Sequence, residues 1–360
     1  MTERGTRVLA APILGESGGG IGQVSALLWR LMQDEWGSSA RLVTLLRDGA
    51  DAPRLAEKLR FGLELAGRHL TESPDWILYS HVGLAAASKY LHGPLNRPYG
   101  VFLHGVECWS PLAADERTVL SRAALRIANS RYTAARASGA NPGIGEISVC
   151  PLALPDGEPV EEAPPVPAGG VPAAIIVGRL SSTERYKGHD ELIAVWPRVA
   201  SLIPGARLIV VGAGDDLDRL RLLADRSVPG SIEFTGFLPR EELRRRYRQA
   251  SLFVMPSRGE GFGLAYLEAM AQGLPCIGSV HDAASEVIAD GETGVLVDPA
   301  DGEEMARAIA GLLADPEKRR AMGRAGQSRV RNRFTYAHFR TRMSSLLNGA
   351  FEGVAAGRSH

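Results

Sequence analysis

Short runs of apolar and β-branched residues alternate along this chain with longer segments of helical period. In the first half, Arg7–Ile13, Arg41–Leu46, Trp76–Ser80, Tyr99–Leu103, Leu125–Ala128 and Ile147–Cys150 read as strands. Between them, Gln23–Asp34, Pro53–Leu70 and Tyr132–Ser138 repeat their apolar residues at helical spacing. This alternation predicts a parallel sheet with helices on both faces. The pattern stops at PLALPDGEPVEEAPPVPAGGVP, Pro151–Pro172, a stretch rich in proline, glycine and acid that has no period and reads as a linker. It then restarts: AAIIVGRL, ARLIVVG, SIEFTG, SLFVMP, PCIGS and the shorter GVLVDP read as strands. Helices are expected near Gly188–Leu202, Asp215–Ala224, Arg240–Ala250 and Gly263–Gln272. Gly302–Leu313, Pro316–Arg331 and Tyr336–Leu347 are helical throughout. Two doubly wound units of this kind are expected to present a crevice between their carboxyl edges, the side of such sheets where ligands bind.

Composition narrows the function classes. A chain of 360 residues is long for one hydrophobic core, which agrees with two domains. Lys+Arg and Asp+Glu are equal at 41 each, so no global field favours nucleic acid, and none is expected as a partner. Cys108, Cys150 and Cys276 are far apart, which fits neither a disulfide framework nor a zinc site; they read as small buried hydrophobes in a reducing cytoplasm. The opening MTERGTRVLAAPIL has no signal-peptide pattern, and no run of about 18 apolar residues exists. The expectation is a cytoplasmic protein, at most peripheral on the inner face of the plasma membrane.

Candidate chemistry gathers at strand ends. In GEGFGLAYLEAM, Gly259–Met270, three glycines let the backbone approach a ligand, and the start of the following helix offers free N–H groups to an anion. Glu260 sits at the mouth of that loop, and Glu268 lies far enough into the helix to accept from vicinal hydroxyls. The same residues also suit an ordinary acidic helix start. In VGRLSSTERYKGHD, Gly178 and Arg179 follow a strand and Lys187-Gly188 precedes a helix. An arginine fork and a lysine point charge there can clamp a diphosphate, or can be charges on a solvated loop. GESGGGIGQV, Gly15–Val24, fails the dinucleotide spacing, since after Gly18 and Gly20 the third glycine would fall at Gln23. It reads as a flexible loop able to approach an anion or an acceptor, or as a permissive turn. His104-Gly105 follows a strand at its carboxyl end, His81 holds a similar place, and Glu107 is near enough to bond His104 or a substrate hydroxyl. RRRYRQ, Arg244–Gln249, reads as a solvated basic face, with attraction to anionic lipid as the lesser alternative. No metal constellation or G-x-S-x-G elbow appears.

Taken together, VGRLSSTERYKGHDELI, LIVVGAGDD, IEFTGF, SLFVMPSRGEGFGLAYLEAMAQGLPCIGS and DGETGVLVDP resemble the retaining glycosyltransferases of family 4 in order and spacing, over about Ala173–Phe334. The first half matches more loosely, through GGGIG, LHG and ANSRYTAAR. The resemblance implies an α/β GT-B fold: two facing Rossmann-like, doubly wound domains with an interdomain cleft. It divides the chain into an acceptor-binding domain (1–152), a linker (153–172), a nucleotide-sugar-binding domain (173–333) and a segment (334–360) that crosses back as a helix to the first domain. It further implies that Glu260 holds hydroxyls of the donor sugar and Glu268 those of the ribose. Arg179 and Lys187, next to Gly178, would neutralise the diphosphate with help from the backbone N–H groups of Phe262, Gly263 and Leu264, in the loop that also holds Gly261. Gly236, Phe237 and Leu238 would line the base. His104 would be the active-site histidine, and the Gly19–Gly22 loop, with Gly20, Ile21 and Gly22, would approach the phosphate. The donor would be a nucleotide-diphosphate sugar, the acceptor a saccharide or a lipid-linked one, and no cofactor or metal would be required.

The chain departs from the family where many members read Gly-Gly-x-x-Glu and it reads VHDAASE, which puts His281 and Asp282 near the donor sugar or the phosphates. Three other readings remain: a non-hydrolysing sugar-nucleotide epimerase, which would lack this E-G-F-G…E pattern; a nicotinamide dehydrogenase, against which the missing third glycine argues; and a catalytically silent sugar-nucleotide binding module.

Overall fold

The computed structural model describes residues 5–15, 18–46, 54–86, 97–154 and 171–356. Most of the expected linker, residues 155–170, lies outside the described residues, as do Glu16 and Ser17 of the glycine-rich stretch and Pro53 at the expected start of the second helix. The chain divides into two compact units, Met1–Leu152 with Ala337–His360, and Ala153–Tyr336.

The first unit is built on β1 (Arg7–Ala11), β2 (Ala40–Thr44), β3 (Trp76–Tyr79), β4 (Tyr99–Leu103), β5 (Leu125–Ala128) and β6 (Ser148–Val149). They pair in parallel in the order β2-β1-β3-β4-β5-β6. β3 and β4 are buried at every position, which is why they read as unbroken apolar runs rather than alternating ones. The helix Tyr336–Ala356 belongs almost wholly to this unit. Tyr336, Phe339, Met343, Leu347 and Phe351 form its buried stripe at helical spacing, with Phe351 stacked on Trp76 at 4.9 Å and Arg340 bonded to Glu35 at 2.7 Å.

The second unit contains β7 (Ala173–Val177), β8 (Arg207–Val211), β9 (Ile232–Gly236), β10 (Leu252–Val254), β11 (Cys276–Ser279) and β12 (Gly294–Val297), parallel in the order β12-β11-β10-β7-β8-β9. The order runs outward from β7 to β9 on one side and from β10 to β12 on the other. The switch point therefore lies between β7 and β10, and the loops that leave their carboxyl ends are the ones with room for a ligand.

Several elements differ from expectation, among them the short helices Val82–Ala85 and Ala284–Val287, which were not expected. The first helix begins at Gly19 rather than near Gln23, so Gly20, Ile21 and Gly22 form its first turn and are not part of a loop. That turn is fixed by tertiary contact: Gly15 N–H donates to the Gly22 carbonyl at 3.0 Å, and a Cβ at Gly22 would overlap the Gly15 carbonyl oxygen. A helix at Ala114–Arg122 between β4 and β5 was not expected, because ADERTVLSR buries only Val119 and Leu120 and shows no stripe. The last strand of the first sheet is two residues long, shorter than Ile147–Cys150. Cys108, Cys150 and Cys276 are all free and buried. Among the described residues, no helix is long and apolar enough to cross a membrane.

Candidate active site

In the second unit the switch point joins two of the sequence motifs. Gly178 and Arg179 follow β7, and the loop ends at Lys187-Gly188, where the helix His189–Leu202 begins. The loop after β10 carries Ser257 to Gly263 into the helix Leu264–Ala271. The two loops touch. Arg258 N–H donates to the Tyr186 carbonyl at 2.7 Å, and the Tyr186 ring lies where a side chain at Gly259 would be. Gly188 has φ +86°, and a Cβ on it would overlap the Pro256 carbonyl oxygen. Only glycine meets both demands, so this residue lets the lysine loop pack onto the glutamate loop.

The helix Leu264–Ala271 starts after Gly263, whose φ is +101° and which caps the helix without a side-chain bond. One of the expected trio of phosphate-facing N–H groups has a partner within its own loop. Phe262 N–H already donates to Glu260 Oε1 at 3.2 Å, so this donor is occupied by the loop's own carboxylate. The backbone of Glu260 is held on both sides, its N–H bonded to Asp282 Oδ2 at 3.2 Å and its carbonyl accepting from Ala283 N–H at 3.1 Å. Gly261 and Phe262 are buried beside it.

Glu268 lies on the same helix, half-buried, and accepts from the Tyr247 hydroxyl at 3.2 Å. Tyr247 comes from the helix Arg240–Gln249 and is buried. This partner was missed because it sits inside the basic stretch, whose charges hid its role. Those charges are engaged: Arg244 with Glu241, Arg245 with Glu242 and Arg246 with Glu233, at 2.6, 2.8 and 3.0 Å. Arg248 reaches the Gln272 side chain. Gly236, with φ +74°, and Leu238 flank an exposed Phe237 at the carboxyl end of β9, on the same edge of the sheet.

Arg179 and Lys187 share one partner that the sequence reading passed over. Glu184 pairs with Arg179 and, at 2.9 Å, with Lys187. Its side chain is 12% exposed, against 62% for Arg179 and 16% for Lys187. The Lys187 side chain lies against the Cα of Gly178, where a Cβ would meet its Cδ and Nζ.

Asp282 is buried beneath the glutamate loop, its Oδ1 accepting from Ala284 N–H at 2.9 Å and its Oδ2 from Glu260 N–H. Burial pushes its carboxyl up to about 7 against the opposing Ala284 bond, and the neighbouring Glu260 charge adds to the rise. His281 instead points to Asp298 at 3.1 Å and is half exposed. An acid whose pKa is raised by folding lends stability that is complete below its unfolded value and is lost as pH rises through the folded value. Unfolding free energy should therefore fall between about pH 4 and pH 7, by on the order of a few kcal/mol. Asp282→Asn should flatten that part of the profile in urea titrations at several pH values. Parallel profiles for the two proteins would assign the slope to another group.

In the first unit, His104 follows β4 and is half-buried. Its Nε2 lies 2.5 Å from the Ser80 carbonyl oxygen, which can only accept, so Nε2 is the donor of that bond and Nδ1 is the ring nitrogen left for another partner. Glu107 bonds the backbone N–H of His104 at 2.5 Å rather than its ring, and the Asn129 amide donates to the His104 carbonyl at 2.6 Å. His81 stacks beside it with ring centroids 5.9 Å apart, its pKa lowered chiefly by burial. Among the described residues, no group of three or more His, Cys, Asp or Glu side chains is arranged to hold a metal ion.

Residues 162–329 match the family model described as glycosyl transferases, group 1. The chain is 34% identical over 302 residues to the GDP-mannose-dependent alpha-(1-6)-phosphatidylinositol monomannoside mannosyltransferase of Mycolicibacterium smegmatis, covering 76% of this chain and 77% of that one. It is 30% identical over 267 residues to the glycogen synthase of Mycobacterium tuberculosis, covering 74% of this chain and 61% of that one. Among solved structures, sucrose-phosphate synthase from Thermosynechococcus elongatus superposes with a TM-score of 0.81 at 24% identity, covering 97% of this chain and all (100%) of that one. HepE from Anabaena, solved with UDP and glucose, gives a TM-score of 0.75 at 18% identity, covering 96% of this chain and 100% of that one. At these identities the structures share the fold. With the relative from Mycolicibacterium smegmatis matched over most of both chains, the protein belongs to the group 1 glycosyl transferases and has their GT-B fold.

Proposed function

We propose that this chain is a retaining family 4 glycosyltransferase, which moves a hexosyl group from a nucleotide-diphosphate sugar to an acceptor hydroxyl without a metal ion. One observation carries the reading: a loop with two cations, Arg179 and Lys187, packs directly on the Glu260 loop at the switch point of the second sheet. A diphosphate leaving group develops negative charge, and two cations on a loop packed against the one that leads into the helix Leu264–Ala271 are suited to stabilise it. Glu260 is assigned to hydroxyls of the donor sugar, Glu268 to the ribose, and the exposed Phe237 with Gly236 and Leu238 to the base. His104 is assigned as the first unit's contribution to catalysis, through Nδ1. The glycine-rich turn at Gly20, Ile21 and Gly22 is assigned to an anion, as a helix start.

In the proposed reaction the acceptor oxygen bonds to the anomeric carbon on the face the diphosphate leaves. The anomeric carbon–oxygen bond breaks, its electron pair goes to the phosphate oxygen, and that oxygen takes the acceptor's proton. The acceptor class is a saccharide or a lipid-linked saccharide, as in glycoconjugate or polysaccharide assembly. The name of the mycolicibacterial relative makes GDP-mannose and a phosphatidylinositol mannoside the first pair to try.

The test is product formation from labelled GDP-mannose, UDP-glucose, UDP-N-acetylglucosamine and ADP-glucose, with and without EDTA. Phosphatidylinositol mannoside and oligosaccharides serve as acceptors. The expected product is a glycosylated acceptor with the anomeric configuration of the donor, formed equally in EDTA. An inverted product, or loss of activity in EDTA, would refute the corresponding part. An epimerised donor would replace this reading by an epimerase, and donor binding without turnover by a silent binding module.

A further inference from the structure

Glu184 belongs to none of the roles assigned above, yet it holds both diphosphate cations. Its loop is braced from both sides. Ser182 donates through N–H and hydroxyl to Asp215 at 3.0 and 2.5 Å, and Leu180 exchanges backbone bonds with Ala213 and Asp216 at 3.0 and 2.9 Å. Arg185 pairs with Asp216 at 3.5 Å, and the Tyr186 carbonyl accepts from Arg258 N–H at 2.7 Å. Lys187 N–H closes the turn on the Glu184 carbonyl at 3.1 Å. A loop tied in this way does not carry Glu184 off when a ligand arrives, so the carboxylate stays beside the cations.

We infer that Glu184 is a built-in counter-anion of the diphosphate site: it occupies Arg179 and Lys187 in the empty protein, yields them to the donor's diphosphate, and competes for them again after transfer, so that the spent nucleoside diphosphate leaves. This rests on the donor site proposed above. The geometry favours competition over simple orientation. Glu184 is almost buried while Arg179 is largely exposed, so the carboxylate is the fixed member and the arginine is the side chain free to change partner. Three groups in place leave the site one net positive charge instead of two, which weakens its hold on an anion.

The experiment is calorimetric titration of GDP and UDP into the full chain, comparing wild type with Glu184→Gln, Glu184→Asp and Lys187→Ala at low and high salt. For the nucleotide that wild type prefers, Glu184→Gln should bind about tenfold tighter, with a steeper salt dependence. Glu184→Asp, which keeps the charge, should stay within about threefold of wild type. Donor KM and kcat should fall together in Glu184→Gln as release of the nucleoside diphosphate slows. Glu184→Ser, which admits water in place of the carboxylate, carries the same expectation and replaces the glutamine variant if that one misfolds. Unchanged or weaker binding by the uncharged variants, beside normal binding by wild type and weakened binding by Lys187→Ala, would overturn the inference alone. Failure of wild type to bind either nucleotide would overturn the donor site and the inference together.

Discussion

Glu260→Ala will lower kcat by about 100- to 1,000-fold while the affinity for free nucleoside diphosphate changes by less than about threefold. The carboxylate stands at the mouth of the loop after β10, on a backbone anchored to Asp282 and Ala283 that the substitution leaves in place. On the proposed assignment, the change removes the contact to the reacting sugar and little of the phosphate site. It also frees Phe262 N–H, now bonded to Glu260 Oε1, as a donor for phosphate, which offsets part of any loss in binding. Steady-state kinetics and calorimetry on the same preparation decide the matter. Equal losses in kcat and in nucleotide affinity would contradict the assignment of Glu260 to the transferred sugar.

Lys187→Ala will act in the opposite sense, on binding first, and should weaken nucleoside diphosphate affinity by about 30- to 1,000-fold, or about 2–4 kcal/mol. Two effects add. The nearly buried ammonium is lost, and Glu184 keeps its negative charge with only the exposed Arg179 to compensate it. Arg179→Ala should therefore cost less than Lys187→Ala, since its side chain is more solvated and more screened. The double variant Lys187→Ala with Glu184→Gln should recover part of the loss, a coupling that a double-mutant cycle reads directly. Full additivity would mean that the two charges act on the nucleotide independently.

The sheets were largely legible from the chain because their inner strands, such as β3, β4 and β10, are buried at every position and read as unbroken apolar runs. Tyr99–Leu103, YGVFL, is bounded by Pro98 and by His104-Gly105, and its expected limits are the observed ones. Helices that bury a full stripe were legible for the same reason. Ala114–Arg122 was not, because it buries two residues and its other positions face water. The start of the first helix was displaced because a glycine run has low helix propensity, and the close approach of Gly22 to Gly15, which overrides it, is a tertiary contact. Among the candidate residues, the positions of Arg179, Lys187, Glu260 and Glu268 at the carboxyl edge followed from strand ends and helix starts. Glu184, Tyr247 and Asp282 did not receive their roles, since each depends on where a loop or neighbouring helix brings its side chain. Tyr247 reaches Glu268 from another helix, and Asp282 reaches Glu260 from the loop after β11.

The chain leaves the first unit at Leu152 and returns to it only at Ala337. During synthesis the second unit is therefore complete before the first, which must wait for the last helix to supply Phe351 against Trp76 and Arg340 against Glu35. Until then the sheet β2-β1-β3-β4-β5-β6 has emerged with part of its apolar cover missing, a surface of the kind that chaperones bind and that drives aggregation.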